Sequence, residues 1–234
     1  MRGKNDGLGA YVMDNGDLRV FINHESYVGS SCDSNAASIS EVIIDTPQLH
    51  QAINNAIGDS NGLTGGVPFI KSIGRAYNRY RTKDGTEVAS FGGRDFERFC
   101  SGQVFEANTY GFNIGFVDRL YIFGEEVNNN EGRIFAIHEN TLHFVTGSGS
   151  GDASSLQGGI NGVGYDSLEN AALVSTGEQD HVALFLSPDF GSETLRMYIG
   201  KKGYTIDGQS CGACAGDENL LARNGLGEFH SIFN

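Results

Sequence analysis

The chain has no tryptophan, only four cysteines, and 16 basic residues against 29 acidic ones among its 234 positions. The shortage of lysine and arginine leaves a formal charge of −13. A field of that sign repels polyanions, so nonspecific nucleic-acid binding is excluded. No apolar run approaches the ~20 residues of a membrane-spanning helix. The opening MRGKNDGLGAY also has no hydrophobic stretch of the kind a signal peptide needs. The expectation is a chain with neither a membrane span nor its own export signal. Of Cys32, Cys100, Cys211 and Cys214, only the last two are close, as CGAC. A single C-x-x-C is a weak zinc signal, and here it follows a turn-rich YTIDGQS instead of a strand leading into a helix, which disfavours a thioredoxin-like redox pair. A loop disulfide or two free thiols remain. The chain also lacks a P-loop, an EF-hand spacing and a G-x-S-x-G elbow, which sets aside P-loop nucleotidases, calmodulin-like sensors and α/β-hydrolases.

Glycine is in excess, at 34 residues, about twice the ordinary share. Together with only 39% hydrophobic residues, this indicates many short strands joined by tight turns, a mostly β chain. The length suits one large or two small domains, and the elements read as one domain over 1–234. YVMDNGDLRVFI places an Asn-Gly turn between two runs of β-formers and predicts a hairpin over 11–23. NRYRTKDGTEVASF repeats the pattern around Asp84 and Gly85, and DHVALFLSPDFGSETLRMYIG repeats it with a longer loop. Further strands are expected at 41–44, 67–73, 119–123, 133–137, 142–146 and 171–175. DTPQLHQAINNAIGD differs: a capping Asp45 or Thr46, Pro47 in the first turn, and Leu49, Ile53, Ala56 and Ile57 at helical spacing predict one short helix, an insertion over 46–58. Its apolar stripe is expected to be packed. The run GSGSGDASSLQGGINGVG reads as a flexible loop over 147–164.

The run DLRVFINHES alternates like a strand yet ends on Asn23, His24 and Glu25, three side chains able to hold a metal or a proton. An excess of carboxylates also suits hard cations that take oxygen ligands. Taken in order, the segments DGLGAY, FINHES, RDFERFCSG, LYIFGEEV, GRIFAIHEN, SLENAALV and MYIGKKG resemble the PhoX-type alkaline phosphatase family. The resemblance covers nearly the whole chain.

This resemblance implies a secreted or periplasmic β-propeller in which strand ends converge on iron and calcium ions that bind and activate phosphate esters. Carried over motif by motif, it implies metal ligands at Glu25, Cys100, Glu126 and Glu169. Glu125 and Glu126 are adjacent on a strand and point to opposite faces, so one of them at most reaches a shared site; the family position selects Glu126. Arg94 and Arg98 flank the cysteine and are the nearby candidates to meet phosphate charge. His24 and His138 are read as neutral histidines satisfied by a backbone carbonyl and are left out of the catalytic residues. The family's chains are longer, so the expected fold is a β-propeller-like array of antiparallel hairpins, incomplete relative to the family, with one inserted helix. Two functions follow as expectations. One is a metal-dependent phosphoric monoester hydrolase, or its N-terminal portion, acting on small phosphate esters. The other is a noncatalytic calcium-binding module that serves a protein partner or a missing C-terminal half.

Overall fold

A computed structural model describes residues 4–25, 37–57, 68–82, 84–89, 96, 98–126, 133–145, 168–188, 195–204, 209–211, 219–226 and 228–231. The expected loop at 147–164 lies outside them. The described chain is mostly β, in three sheets with two short helices.

The first sheet is a meander of four strands, β1 (Lys4–Val12), β2 (Leu18–Glu25), β3 (Ser38–Ile44) and β4 (Ile70–Arg75), each antiparallel to the next. Its opening hairpin is closed by the Asn-Gly signal: Gly16 takes φ +86, and the Asn15 side chain accepts from the Asp17 backbone N–H at 3.0 Å. Lys71 reaches across to Asp17 at 2.7 Å and Asp45 at 3.5 Å.

Between β3 and β4 runs α1 (Thr46–Ala56), capped by Asp45, which accepts from the Gln48 N–H at 2.9 Å. The helix forms where the sequence placed it, but its stripe is not packed as expected. No residue of α1 is buried; Ile53 is 43% and Ile57 is 73% exposed. Periodicity marks which side of a helix is apolar, and says nothing about whether another element lies against it. Here β3 and β4 pair directly with each other, so the sheet is complete without the helix. Ile53→Ala is therefore expected to cost less than about 1 kcal/mol in urea unfolding, well under the roughly 2–5 kcal/mol of a buried position. A larger loss would reveal a contact the structure does not show.

The central sheet contains β5 (Arg79–Arg81), β6 (Glu87–Val88), β7 (Phe99–Phe105), β8 (Leu120–Glu125), β9 (Ile134–His138) and β10 (Thr141–Phe144), in the order β6-β5-β10-β9-β8-β7. Strands β7 to β10 form a second meander. The hairpin expected around Asp84 and Gly85 is present as β5 and β6, and it joins β10 through a parallel pairing, Leu142 opposite Tyr80. Strands β8 and β10 are buried at every position. That is the pattern of a sheet covered on both faces. The third sheet is again a four-strand antiparallel meander, β11 (Leu168–Val174), β12 (His181–Pro188), β13 (Arg196–Lys201) and β14 (Glu228–Ser231). A short α2 (Leu220–Asn224) ends on Gly225 at φ +75.

Two cores hold the stack together. Phe21, Ile39 and Tyr77 from the first sheet's side meet Phe99, Tyr121, Phe123 and Phe135 of the central sheet. On its other side Phe105, Leu120, Ile122 and Ile134 meet Leu173, Leu184, Leu186 and Tyr198 of the third sheet. Strands β1, β7 and β11 each open a meander and each form an edge of their sheet, and both β1 and β11 lie against β7. Within the central sheet Glu125 and Arg133, 0% and 2% exposed at the side chain, make two hydrogen bonds of 2.5 and 2.6 Å. Cys211 is disulfide-bonded. Cys100 is a free thiol. No helix among the described residues is long and apolar enough to cross a membrane.

His143 on β10 is 2% exposed, and burial, reinforced by the positive charge of His138, Arg81 and other neighbours, pulls its pKa down to about 3. A histidine depressed in the fold takes up its proton more readily when unfolded. Its contribution is therefore present above the ordinary value near 6.5 and is lost as pH falls from there towards 3. Stability is expected to drop by about 1.4 kcal/mol per pH unit in that window, and His143→Asn should flatten this acid limb in urea titrations. An unchanged limb would assign the acid sensitivity to carboxylates.

Candidate metal centre

Where β1, β7 and β11 meet, each strand carries one extra residue. Opposite β2, Asn5 pairs with His24 and Leu8 with Ile22, so Asp6 and Gly7 together oppose one residue. Opposite β8, Phe99 pairs with Glu125 and Gly102 with Phe123, which leaves Cys100 and Ser101 in the same relation. On β11, Leu168 pairs with Pro188 and Asn170 with Ser187, so Glu169 is the extra residue. A β-bulge bends its strand and re-aims a side chain. The three bulged segments line one cavity of about 180 Å³, walled by Asp6, Gly7, Cys100, Ser101, Glu169 and Asn170 with Ile122 and Leu168 behind.

Strand alternation brings Phe21, Asn23 and Glu25 of β2 to the buried face, and Glu25 at its end is 8% exposed. Its Oε1 lies 3.2 Å from the Cys100 Sγ. Glu126, just past β8, is in closer contact with the same sulfur through its Oε2. Potential ligand atoms of Asp6, Glu25 and Cys100 all lie within 4.8 Å of one another. Arg98 stands at the edge: its Nε donates to the Glu126 carbonyl at 3.0 Å, and its Nη1 is 3.9 Å from the Glu126 carboxylate.

The bulges are held by a buried amide. Asn23, 0% exposed, donates from Nδ2 to the carbonyl of Ser101 at 2.9 Å and accepts from the Tyr121 hydroxyl at 2.8 Å. Gly7 is needed because of the close approach of the backbones. A Cβ there would stand 2.4 Å from the Cys100 carbonyl oxygen and 2.8 Å from the Gly102 nitrogen, closer than folded side chains come.

Electrostatically the cluster is short of positive charge. Burial and then the neighbouring Glu25 push the Asp6 carboxyl above its ordinary value. Burial, with the contacts to Glu126 and Glu25, pushes the Cys100 thiol far up. Crowding of this kind disfavours the charged forms of both groups, and a cation would offset it. Three carboxylates and one thiol suit a metal that accepts both oxygen and sulfur, such as ferric iron, better than a cation confined to oxygen.

Of the four residues expected to ligate metal, Cys100 is in contact with both Glu25 and Glu126, and Glu169 lines the cavity beside it. Glu125 and Glu126 diverge as alternation requires, the former turned to Arg133. His24 is 3% exposed, its Nε2 2.8 Å from the Ser40 hydroxyl, and burial lowers its pKa. Arg94 lies outside the described residues. Asp6 was not among the expected ligands, although it opens the DGLGAY segment; an exposed aspartate within a strand gives no sign that a bulge turns it inward. Asn23 was visible only as one member of Asn-His-Glu. No family model, no curated protein and no solved structure matches the chain.

Proposed function

We propose that Asp6, Glu25, Cys100 and Glu126, with Glu169 on the cavity wall, hold metal in a phosphate-ester-hydrolysing centre of the PhoX type. The observation that carries this reading is the gathering of a thiol and three carboxylates from strands far apart in sequence at coincident bulges. The three meanders, with their first strands brought together, fit a β-propeller-like array. The Cys211 disulfide suits the oxidising compartment that a secreted or periplasmic protein occupies.

A bound ferric ion would polarise a phosphoryl oxygen as a Lewis acid. The chain's own residues do the rest. The carboxylates and the thiol fix the ion's position, Asn23 holds the Cys100 bulge in register, and Arg98 sets a positive charge beside Glu126. Asp6 is exposed, which gives an incoming ester access to the cluster. Calcium suits the carboxylate side of the cavity, where Glu169 stands.

A second reading rests on a specific observation: no described residue lining the cavity is basic. A wall without lysine or arginine favours a cation over a phosphate, as in a noncatalytic calcium-binding module that serves a protein partner.

Elemental analysis of the purified chain and of Cys100→Ser separates the two. The expected result is iron together with calcium in the parent and iron at background in the variant, with the strand content by circular dichroism unchanged. Calcium alone, indifferent to Cys100, would favour the module. Turnover of a generic phosphomonoester by this chain alone is expected to be weak, because Arg98, which stands beside the cluster, is already tied to Glu126.

A further inference from the structure

The face of the central sheet that looks towards the third sheet changes character along its width. At β8 and β9 it carries Leu120, Ile122, Ile134 and Ala136, which pack into the core. Beyond them it becomes cationic. Thr141 pairs with His138 and His143 with Ala136, so Thr141 and His143 share the face of Ala136. The parallel register sets Arg79 beside Thr141 and Arg81 beside His143, while Tyr80 between them packs against the aromatic core on the opposite side. Arg79, Arg81, His138 and His143 thus stand on one face of three adjacent strands. Arg223 of α2 is near enough for its charge to act on His143 as well.

Partners for these groups are few. Among the described residues Arg79, which is exposed, makes no ion pair or hydrogen bond. Arg81 approaches Glu87 through Nη2 at 3.6 Å, and its Nη1 is buried with no hydrogen-bond partner. His143 is 2% exposed, and no described residue makes a hydrogen bond to its ring. His138 Nδ1 lies 3.3 Å from the Arg119 carbonyl oxygen, and Arg223 is tied to Asp118 at 2.7 Å. Carboxylates are in excess in this chain, 29 against 16 basic residues, yet they leave this face mostly unanswered. Like charges so gathered repel one another, and a buried guanidinium nitrogen without an acceptor has given up water with no replacement.

We infer that this face binds a tetrahedral oxyanion such as phosphate, held between Arg79 and Arg81 and resting over His143. Arginines two apart on a strand point the same way from positions about 6.6 Å apart, which lets two planar forks donate to different oxygens of one anion. With His143 as a further donor from the sheet surface, four oxygens are matched better than the two of a carboxylate. None of these residues lines the cavity beside Cys100, so the inference stands whether or not that cavity holds metal.

A bound anion should also register at His143. Burial, then His138, Arg81, Arg223 and Arg79, hold its pKa down to about 3; the nearby carboxylates Glu87 and Asp118 are directed to Arg81 and Arg223. Negative charge resting on the arginines raises the folded value towards the ordinary one and so narrows the range over which acid removes stability.

Equilibrium dialysis of the purified chain against labelled inorganic phosphate at neutral pH tests the assignment. The expected result is saturable binding that Arg79→Gln and Arg81→Gln each weaken about tenfold or more. Arg79 is exposed, so its variant should keep the fold by circular dichroism; Arg75→Gln, at an exposed position of β4, should bind like the parent. Cys100→Ser should bind like the parent too, which separates this face from the metal centre. In sulfate, which stays doubly charged in acid, the stability lost between about pH 6.5 and about 3 should be smaller than in chloride of equal ionic strength, and Arg79→Gln should erase the difference. Absence of saturable binding would overturn the inference. So would binding indifferent to both arginine variants, or binding abolished by Cys100→Ser, since either would place the anion elsewhere.

Discussion

Arg133→Ala is expected to destabilise the protein by about 3–5 kcal/mol, a large part of the roughly 5–15 kcal/mol that holds a domain folded. The reason is the charge left behind. Glu125 is fully buried and both its oxygens accept from Arg133, at 2.5 and 2.6 Å. The guanidinium lies 5.2 and 5.7 Å from the Phe96 and Phe135 ring centres. Removing it takes both of these hydrogen bonds from a carboxylate buried beside aromatic rings. Removing both partners should cost far less, since a buried pair and a well-packed apolar pair of similar volume are often nearly equivalent. Urea unfolding of Arg133→Ala and of Glu125→Leu/Arg133→Met together checks this; equal losses would mean that the cost lies in packing and not in charge.

Gly7→Ala is the second large effect, expected at about 3 kcal/mol. The added methyl would meet the Cys100 carbonyl, the Gly102 nitrogen and the Asn23 amide at 2.4–2.8 Å. Two of these are backbone atoms of β7 and have no rotamer with which to move aside, so β1 must lift away from β7. Metal content should fall along with stability, because Asp6 and Cys100 sit on the two strands being parted. Gly74→Ala is the matched control: nothing stands within 4 Å of a Cβ there, and a change within about 0.5 kcal/mol is expected. If both alanines behaved alike, the close approach of β1 and β7 would be wrong.

Much of the fold was legible because its local chemistry is plain. The Asn15-Gly16 turn, the Asp84-Gly85 turn and the cap at Asp45 each mark an element that forms there. Strand β7 was not read as a strand, and the reason is physical. FCSGQVF contains a bulge at Cys100 and Ser101 that breaks the period-2 pattern by which strands are recognised. The same extra residue that hides the strand turns the cysteine towards Glu25. The parallel pairing of β5 with β10 joins residues some sixty positions apart, and no local signal encodes it. For the candidate site, a resemblance in motif order supplied Glu25, Cys100, Glu126 and Glu169. Asp6 and the Asn23 bridge depend on how β1 and β2 register against β7, which only coordinates show.

The bulges also bear on how such a chain can change over generations. Asp6, Cys100 and Glu169 each lie in a segment one residue longer than its partner strand requires. Loss of a single codon at Glu169 would leave β11 and β12 with an uninterrupted ladder while deleting the carboxylate. Gain or loss of a ligand is thus separable from gain or loss of the sheet, and a lineage carrying this fold can exchange a metal-holding mouth for a bare one through one in-frame deletion per strand.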